Sequence, residues 1–202
     1  MCQRFTPFTV PEAQMTLEQL LGKGSAHIPE EQLEDDAFPG SSAPLFVPND
    51  KGVLQVQVAH WGFQIDDARK LYFNTRLDTA LKQLETAKGL WARAIKQGRC
   101  LVPARAFYER HATDIIFSDK TGKPIHRPYR ITMEGYSAFL IAGIFSEGRF
   151  SLITTEPNSF MASIHNRMPL VLGAGESSLW LKGDFEPLAK RDHIELLAKP
   201  MN

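Results

Sequence analysis

Apolar and polar positions divide the chain into many short extended runs and a few helices. Residues 53–59 alternate with Gln55 and Gln57 at period two, which predicts a strand with one wetter face. Residues 100–107, 129–133, 138–145 and 150–154 are β-branched or aromatic runs separated by turn formers, and each predicts a strand. Residues 168–172 predict one more short strand, and residues 2–10 an extended segment. Residues 25–52 are rich in Pro, Gly, Ser and acid, so they predict a long connection in which only residues 45–47 are strand-like.

Helical spacing is rarer. Leu17, Leu20 and Leu21 predict a short helix ended by Gly22 and Gly24. Residues 78–84 and 90–96 predict two more, the second stopping at Gly98. Pro157 stands where a helix running toward Ile164 could begin, and residues 176–181 and 192–197 predict the last two. Strands outnumber helices without regular alternation. The expected fold is therefore α+β around a mixed or antiparallel sheet, with neither internal repeats nor low-complexity tracts.

Length and composition narrow the class. With 202 residues the expected organisation is one domain over residues 1–202, large enough for a substantial core. A hydrophobic fraction of 43% with 23% charged residues suits a water-soluble globular chain. Residues 138–145, the longest nearly uninterrupted apolar run, are too few to span a bilayer, so no membrane partner is expected. No basic stretch followed by an apolar one opens the chain, and a cytoplasmic protein is expected. Two cysteines, Cys2 and Cys100, exclude a disulfide scaffold and form no CxxC pair.

Charge changes the picture only locally. The formal net charge is zero, which argues against coating nucleic acid by bulk attraction. A local phosphate track remains open, because a few cations touching phosphates supply the salt-dependent part of binding. Residues 30–36 are an acidic block, of the kind that usually forms a solvated face. Arg4, Arg76, Arg99, Arg105 and Arg167 lie in or beside the motifs below.

The residue with most chemical content is Cys2. Once Met1 is removed, Cys2 carries a free α-amine and a thiol on adjacent carbons. Such an aminothiol condenses with an aldehyde to an imine, which the thiol closes to a five-membered thiazolidine. An α-amine titrates near ~8 and a free thiol near ~8.5, so both are partly nucleophilic at neutral pH.

Several blocks accompany it: Cys2-Gln3-Arg4-Phe5, His60-Trp61-Gly62-Phe63 and Phe73-Asn74-Thr75-Arg76-Leu77-Asp78-Thr79. Later come Arg99-Cys100-Leu101-Val102-Pro103, Phe107-Tyr108-Glu109, Thr154-Thr155-Glu156-Pro157-Asn158 and His165-Asn166-Arg167-Met168-Pro169. In order and spacing the chain resembles the SOS-response-associated peptidase (SRAP) family over residues 2 to about 180. The resemblance implies a single α+β SRAP-like domain with a mixed or antiparallel, barrel-like sheet and peripheral helices. It implies that Cys2 captures abasic sites in single-stranded DNA as a thiazolidine crosslink, after a self-processing peptidase step that releases Met1. Asn74, Glu109 and His165 match the family's other catalytic residues, and Arg4, Arg76 and Arg167 its DNA-binding arginines. No cofactor and no metal are implied. The implied partner is single-stranded DNA containing abasic sites, met by a monomer in the cytoplasm, associated with the nucleoid when DNA is damaged.

Each role has a physical rationale. A carboxylate beside an amine can shuttle protons during imine formation and activate a water, as Glu109 would. His165 titrates near neutrality and can protonate a sugar oxygen. Arginine stays charged and grips phosphate with a planar fork. Taken singly, each residue also has an ordinary reading. His165 would be a structural histidine, Glu109 an exposed strand end, and Asn74 a turn former. Arg76 and Arg167 would be surface ion-pair partners, Cys100 a core residue, and Trp61 a packing residue at a sheet edge.

The chain departs from the family blocks in places. Arg110 stands where the family has Trp, Gln3 where it has Gly, and Asp78 where it has Glu. Gln64-Ile65-Asp66-Asp67-Ala68 follows Phe63 in place of Pro and a base-wedging Trp. Losing such an aromatic removes a contact worth ~1–3 kcal/mol per stacked base.

Two other functions compete. One is a cysteine hydrolase with Cys2 or Cys100 activated by His165. The other is a non-catalytic DNA- or protein-binding module on the same fold. The six histidines include no pair at i, i+3 or i, i+4, which disfavours a metal enzyme. Gly173-Ala174-Gly175 lacks a dinucleotide-binding context, and no Gly-x-Ser-x-Gly occurs.

Overall fold

A capping box opens the first helix: the Thr9 amide donates to Glu12 Oε2 at 2.8 Å, and the Glu12 amide to Thr9 Oγ1 at 3.4 Å. Strand β1 (Phe5–Pro7) precedes it and helix α1 (Val10–Leu21) follows, with Pro11 in the first turn, where a missing amide proton costs nothing. The helix thus starts well before the leucine triplet that announced it. The structure, a computed structural model, describes residues 2–21, 36–64 and 70–202. Gly22, Gly24, most of the acidic block and residues 65–68 lie outside the described residues.

Strands β2 (Ser42–Pro48) and β3 (Leu54–Trp61) form an antiparallel pair from Ser42↔His60 to Pro48↔Leu54. The short β4 (Phe63–Gln64) and β5 (Leu71–Tyr72) make a separate ribbon, followed by β6 (Asn74–Arg76), α2 (Leu77–Thr86) and α3 (Ala92–Gln97). Then come the long β7 (Arg99–Phe117), β8 (Pro124–Met133), β9 (Phe139–Ser146) and β10 (Arg149–Thr155). Helix α4 (Ser159–Ala162), β11 (Met168–Pro169), β12 (Val171–Leu172), α5 (Glu176–Lys182) and β13 (Leu196–Pro200) complete the chain.

Strands β7, β9, β10, β3 and β2 pair in turn, and β2 returns to β7 through Phe46↔Leu101, closing a ring. The β10–β3 step is parallel and the others are antiparallel, so the sheet is mixed as expected. Side chains alternate across it. Leu45, Cys100, Val102, Ile141, Phe150 and Leu152 fill the inside with Phe5 and Trp61. Phe46, Leu101, Ala142, Ile144 and Ile153 pack outward against residues of α1, α2, α3 and α5, including Trp180, and against Trp91 at the start of α3. Strands buried on both faces read as continuous apolar runs, which explains residues 138–145. Gly143 permits a close approach within the ring: a Cβ there would stand 2.9 Å from Cys100 Sγ.

Three local expectations change. Residues 192–197 form no helix. Ile194 is held by a turn to Arg191, and Leu196 begins β13, which pairs with β8, because both Ile194 and Leu196 are drawn into the core. The run 168–172 splits, β11 pairing with β10 and β12 with β9. Trp61 lies in the interior rather than at an edge, edge-to-face with Phe5 and stacked on Phe150, with its indole N–H donated to Phe73 O at 2.7 Å. Among the described residues no helix is long and apolar enough to cross a membrane.

Candidate functional site

Strand β7 sets the site by changing phase. Cys100, Val102 and Ala104 face the interior at even positions, yet Phe107 faces it at an odd one. The slip coincides with an irregular register to β1, where Thr6 pairs with Ala106 but Pro7 with Ala104, passing over Arg105. Arg105 turns outward to an ion pair with Glu12. A bulge of this kind re-aims every later side chain of its strand. Here it puts Glu109 on the same side as Phe107, where it is only 5% exposed. The exposed strand-end reading of Glu109 is thereby corrected.

The N-terminal residues continue past β1 along the same strand, and the Tyr108 amide donates to Arg4 O at 3.0 Å. Cys2 is fully buried among ring residues, and its thiol donates to Arg4 O at 3.3 Å. Burial, then the neighbouring Glu109 carboxylate, push that thiol up to about 12, well above the free-thiol range in the sequence reading. Cys2 is a protonated, sequestered thiol in this conformation. Cys100 is also buried, is pushed up by burial, and packs against Gly143. It occupies the core position expected of it.

Asn74 arrives on β6, which runs parallel to β10 through Leu152↔Asn74. It forms no turn. Its Nδ2 donates to Cys2 O at 2.7 Å, whereas its buried Oδ1 has no hydrogen-bond partner among the described residues. His165 arrives on the loop after α4. The Ala112 amide of β7 donates to Ile164 O at 2.8 Å, fastening that loop beside Glu109. His165 Nε2 lies 3.9 Å from Glu109 Oε2. His165 Nδ1 lies 3.1 Å from both the amide and the carbonyl of Arg167, so the backbone satisfies it in either tautomer. Burial lowers the His165 pKa and raises that of Glu109 to about 7. Near neutral pH the carboxyl therefore exists in both forms, as a proton-transfer group requires.

A cavity of about 340 Å³ opens over this cluster, walled by Gln3, Arg4, Phe38, Tyr108, Glu109, Arg110, Pro128 and His165. Cys2 is not among its walls; its immediate neighbour Gln3 is. A larger depression of about 390 Å³ lies between β2, β3, α3 and β9, with Gln55, Arg93 and Phe145 in its wall. It shares no wall residue with the cluster, and neither cysteine nor histidine lines it.

The three arginines separate. Arg4 lines the cavity, its guanidinium 4.2 Å from the centre of the Tyr108 ring and bonded to Asp36 Oδ2 from Nε at 2.8 Å and Nη2 at 2.5 Å. Arg76 is exposed and forks onto Asp78 at 3.1 and 2.6 Å. Arg167 is buried, donates to Thr154 O at 2.8 Å, and lines a second depression of about 200 Å³ with Asp78 and Glu156. Arg4 thus faces the Glu109–His165 cavity, whereas Arg167 and Asp78 face another depression.

Sequence reasoning missed several of these partners. Asp36 belongs to the acidic block read as a solvated face, yet it receives Arg4 and the Thr6 hydroxyl, the latter at 2.6 Å. Asn158 is buried, caps α4 by accepting from the Met161 amide, and donates to Arg191 O and Ile194 O. Its Asn followed by a helix was a capping signal that could have been read. Phe38 and Pro128 carried no local signal.

Fold and site together define an α+β protein whose polar centre is assembled around its second residue. A sequence profile described as SOS response associated peptidase (SRAP) matches residues 1–202, and the chain belongs to that family. The chain is similar to the abasic site processing protein YoaM of Bacillus subtilis (strain 168), 28% identical over 193 residues, 90% of this chain and 79% of YoaM. It is also similar to YoqW, an abasic site processing protein of the same strain, at 28% over 213 residues, 99% of this chain and 87% of YoqW. Among solved structures, a Bacteroides thetaiotaomicron protein superposes with a TM-score of 0.71 at 23% identity, covering 100% of this chain and 92% of that one. A phage-related protein from Bordetella bronchiseptica gives 0.71 at 20% identity, covering 100% and 94%. These two likenesses concern the fold.

Proposed function

We propose that this protein processes abasic sites, with Cys2 capturing the open-chain aldehyde in single-stranded DNA after Met1 has been released. The observation that carries the reading is that Glu109 and His165 wall one cavity beside Gln3, while Glu109 acts on the buried Cys2 thiol and Asn74 holds the Cys2 carbonyl, so four distant segments meet at the second residue. The curated relatives named for abasic site processing support the substrate class.

Release of Met1 consumes one water and converts the Cys2 nitrogen from an amide to an amine. Glu109 as carboxylate accepts the proton of that water as it attacks the Met1 carbonyl. The freed amine then adds to the aldehyde carbon. Proton transfer to the carbinolamine hydroxyl expels water and leaves the imine. The Cys2 thiol adds across the C=N bond: a C–S bond forms, and the thiol proton passes to nitrogen by way of Glu109. One aldehyde and one aminothiol thus give one thiazolidine and one water. In its protonated form His165 gives a proton to the ring oxygen as the C–O bond breaks, and the anomeric hydroxyl loses its proton to water, so that the sugar opens to the aldehyde with no net proton change. Asn74 holds the Cys2 carbonyl still while the nitrogen changes state, and its unbonded Oδ1 can accept from an N–H. The sequestered thiol fits a sequence in which the amine reacts first. A single unit over residues 1–202, acting as a monomer, completes the proposal.

Intact mass after incubation with an abasic single-stranded oligonucleotide tests it. A denaturation-resistant adduct is expected with the parent and with Cys100→Ala, and none with Cys2→Ala or with protein that retains Met1. An adduct in the Cys2→Ala protein would overturn the reading. A cysteine hydrolase would instead stay active with a blocked N terminus, and a binding module would bind DNA without any adduct.

A further inference from the structure

The geometry points to Arg110 as the cation at the cavity that receives a DNA phosphate beside the captured sugar, an inference that rests on the abasic-site reading. Two arginines wall the cavity, and they differ in charge balance. Arg4 is neutralised by Asp36 through two hydrogen bonds. Arg110 is exposed, and among the described residues it meets no carboxylate. Its Nη1 donates only to the backbone carbonyl of His126, at 3.0 Å. A guanidinium already paired with an acid must lose that partner before it gains a phosphate, whereas one bonded to a neutral carbonyl keeps its full charge for an anion.

The backbone holds Arg110 in place. Arg110↔Pro128 is the last regular pair before the β7–β8 register breaks, and pairing resumes at Ile115↔His126. Four residues of β7, 111–114, then face one of β8. Such a bulge bends the strand. Ala112 within it donates to Ile164 O, in the loop that presents His165. His126 Nδ1 bonds to His111 O at 2.9 Å and ties the two edges together. Arg110 is thereby fixed relative to Glu109, its chain neighbour, and to His165, on the wall of one cavity. Pro128 opposite offers no amide proton, so the guanidinium is the donor at that rim. With Glu109 partly protonated near pH 7, Arg110 leaves the cavity positive, which suits the phosphate flanking an extruded sugar.

Binding of an oligonucleotide carrying an unreactive tetrahydrofuran in place of the abasic sugar would be measured across a salt series. Arg110→Gln should weaken binding several-fold at low salt and flatten the log–log salt slope by about 0.7, one single-strand phosphate contact. Arg110→Lys should restore the slope, because it restores the charge. A parent-like slope in Arg110→Gln overturns the inference, and so does failure of lysine to rescue it. Adduct formation with an abasic oligonucleotide at saturating concentration is followed alongside. No parent adduct with an altered Arg110→Gln slope would sink the abasic-site reading and leave the phosphate contact standing. Parent adduct with an unaltered slope would do the reverse.

Discussion

Asn74 donates a 2.7 Å hydrogen bond to the carbonyl of Cys2 across 72 residues of sequence. It joins the second residue of the chain to a strand that itself hangs on β10. The bond orients the group whose nitrogen and sulfur are proposed to react. Asn74→Ala leaves the Cys2 carbonyl unbonded in a largely buried place, costing ~1–3 kcal/mol of local order. The expected outcome is adduct formation slowed at least tenfold with a folded protein, checked by single-turnover crosslinking beside a thermal melt. Unchanged crosslinking would remove Asn74 from the machinery.

Glu109 makes the chemistry pH-dependent. Burial raises its pKa in the folded protein to about 7 from the ordinary 4.5. The stability belonging to the buried neutral carboxyl is therefore full below about 4.5 and lost as pH rises through about 7, roughly 3 kcal/mol in all. Glu109→Gln should accordingly stabilise the protein at pH 8 relative to the parent, but not at pH 4. It should also abolish the rise in crosslinking rate expected between pH 6 and 8. Denaturant melts at the two pH values and a rate profile check both.

Asp36 restrains Arg4. Asp36→Asn removes the counter-charge from a guanidinium on the cavity wall while keeping a side chain of the same shape. The salt slope for single-stranded DNA should then steepen by up to ~0.7, the contribution of one further phosphate contact. Fluorescence anisotropy at four salt concentrations measures it, and a slope equal to the parent's would mean that Arg4 does not reach phosphate.

Asn158 positions His165 without touching it. Its side chain caps α4, and the Met161 carbonyl of that helix accepts from the His165 amide at 2.8 Å. Asn158→Ala loses the cap and leaves the Arg191 and Ile194 carbonyls short of a donor, together ~2–3 kcal/mol. Slower crosslinking with an altered pH profile is expected, whereas a purely structural role would lower only the melting temperature.

Glu176 anchors the C-terminal segment. It accepts two 2.7 Å bonds from buried Arg191, one from the Gly173 amide and one from His193 Nε2. Burial works to raise its pKa, but these bonds outweigh it and hold the value below the usual range. The associated stability is present above about 4.5 and is lost as pH falls through the lower folded value. Glu176→Ala strands a buried guanidinium and should cost ~3–5 kcal/mol by urea denaturation at pH 7.

The sequence by itself determined the elements and the inventory of chemistry. Alternation marked the strands of the ring because a pleated surface has period two, and residues 138–145 read as one apolar run because both faces of that strand are covered. Cys2, Asn74, Glu109 and His165 were legible as an ordered set of blocks, since each keeps its local neighbours. What the sequence could not show depends on contacts between distant segments. Residues 192–197 have a helical spacing, but an edge of β8 needing a partner drew Leu196 into a strand. The skipped Arg105 decides whether residue 108 or 109 faces inward, and that slip is visible only in the pairing of β7 with β1. The charge of Arg4 is cancelled by Asp36 and that of Arg76 by Asp78, whereas Arg110 keeps its own. Ion pairing and burial act through space at a few ångströms, so tertiary structure alone decided which cations stay available and which carboxyl titrates near neutrality.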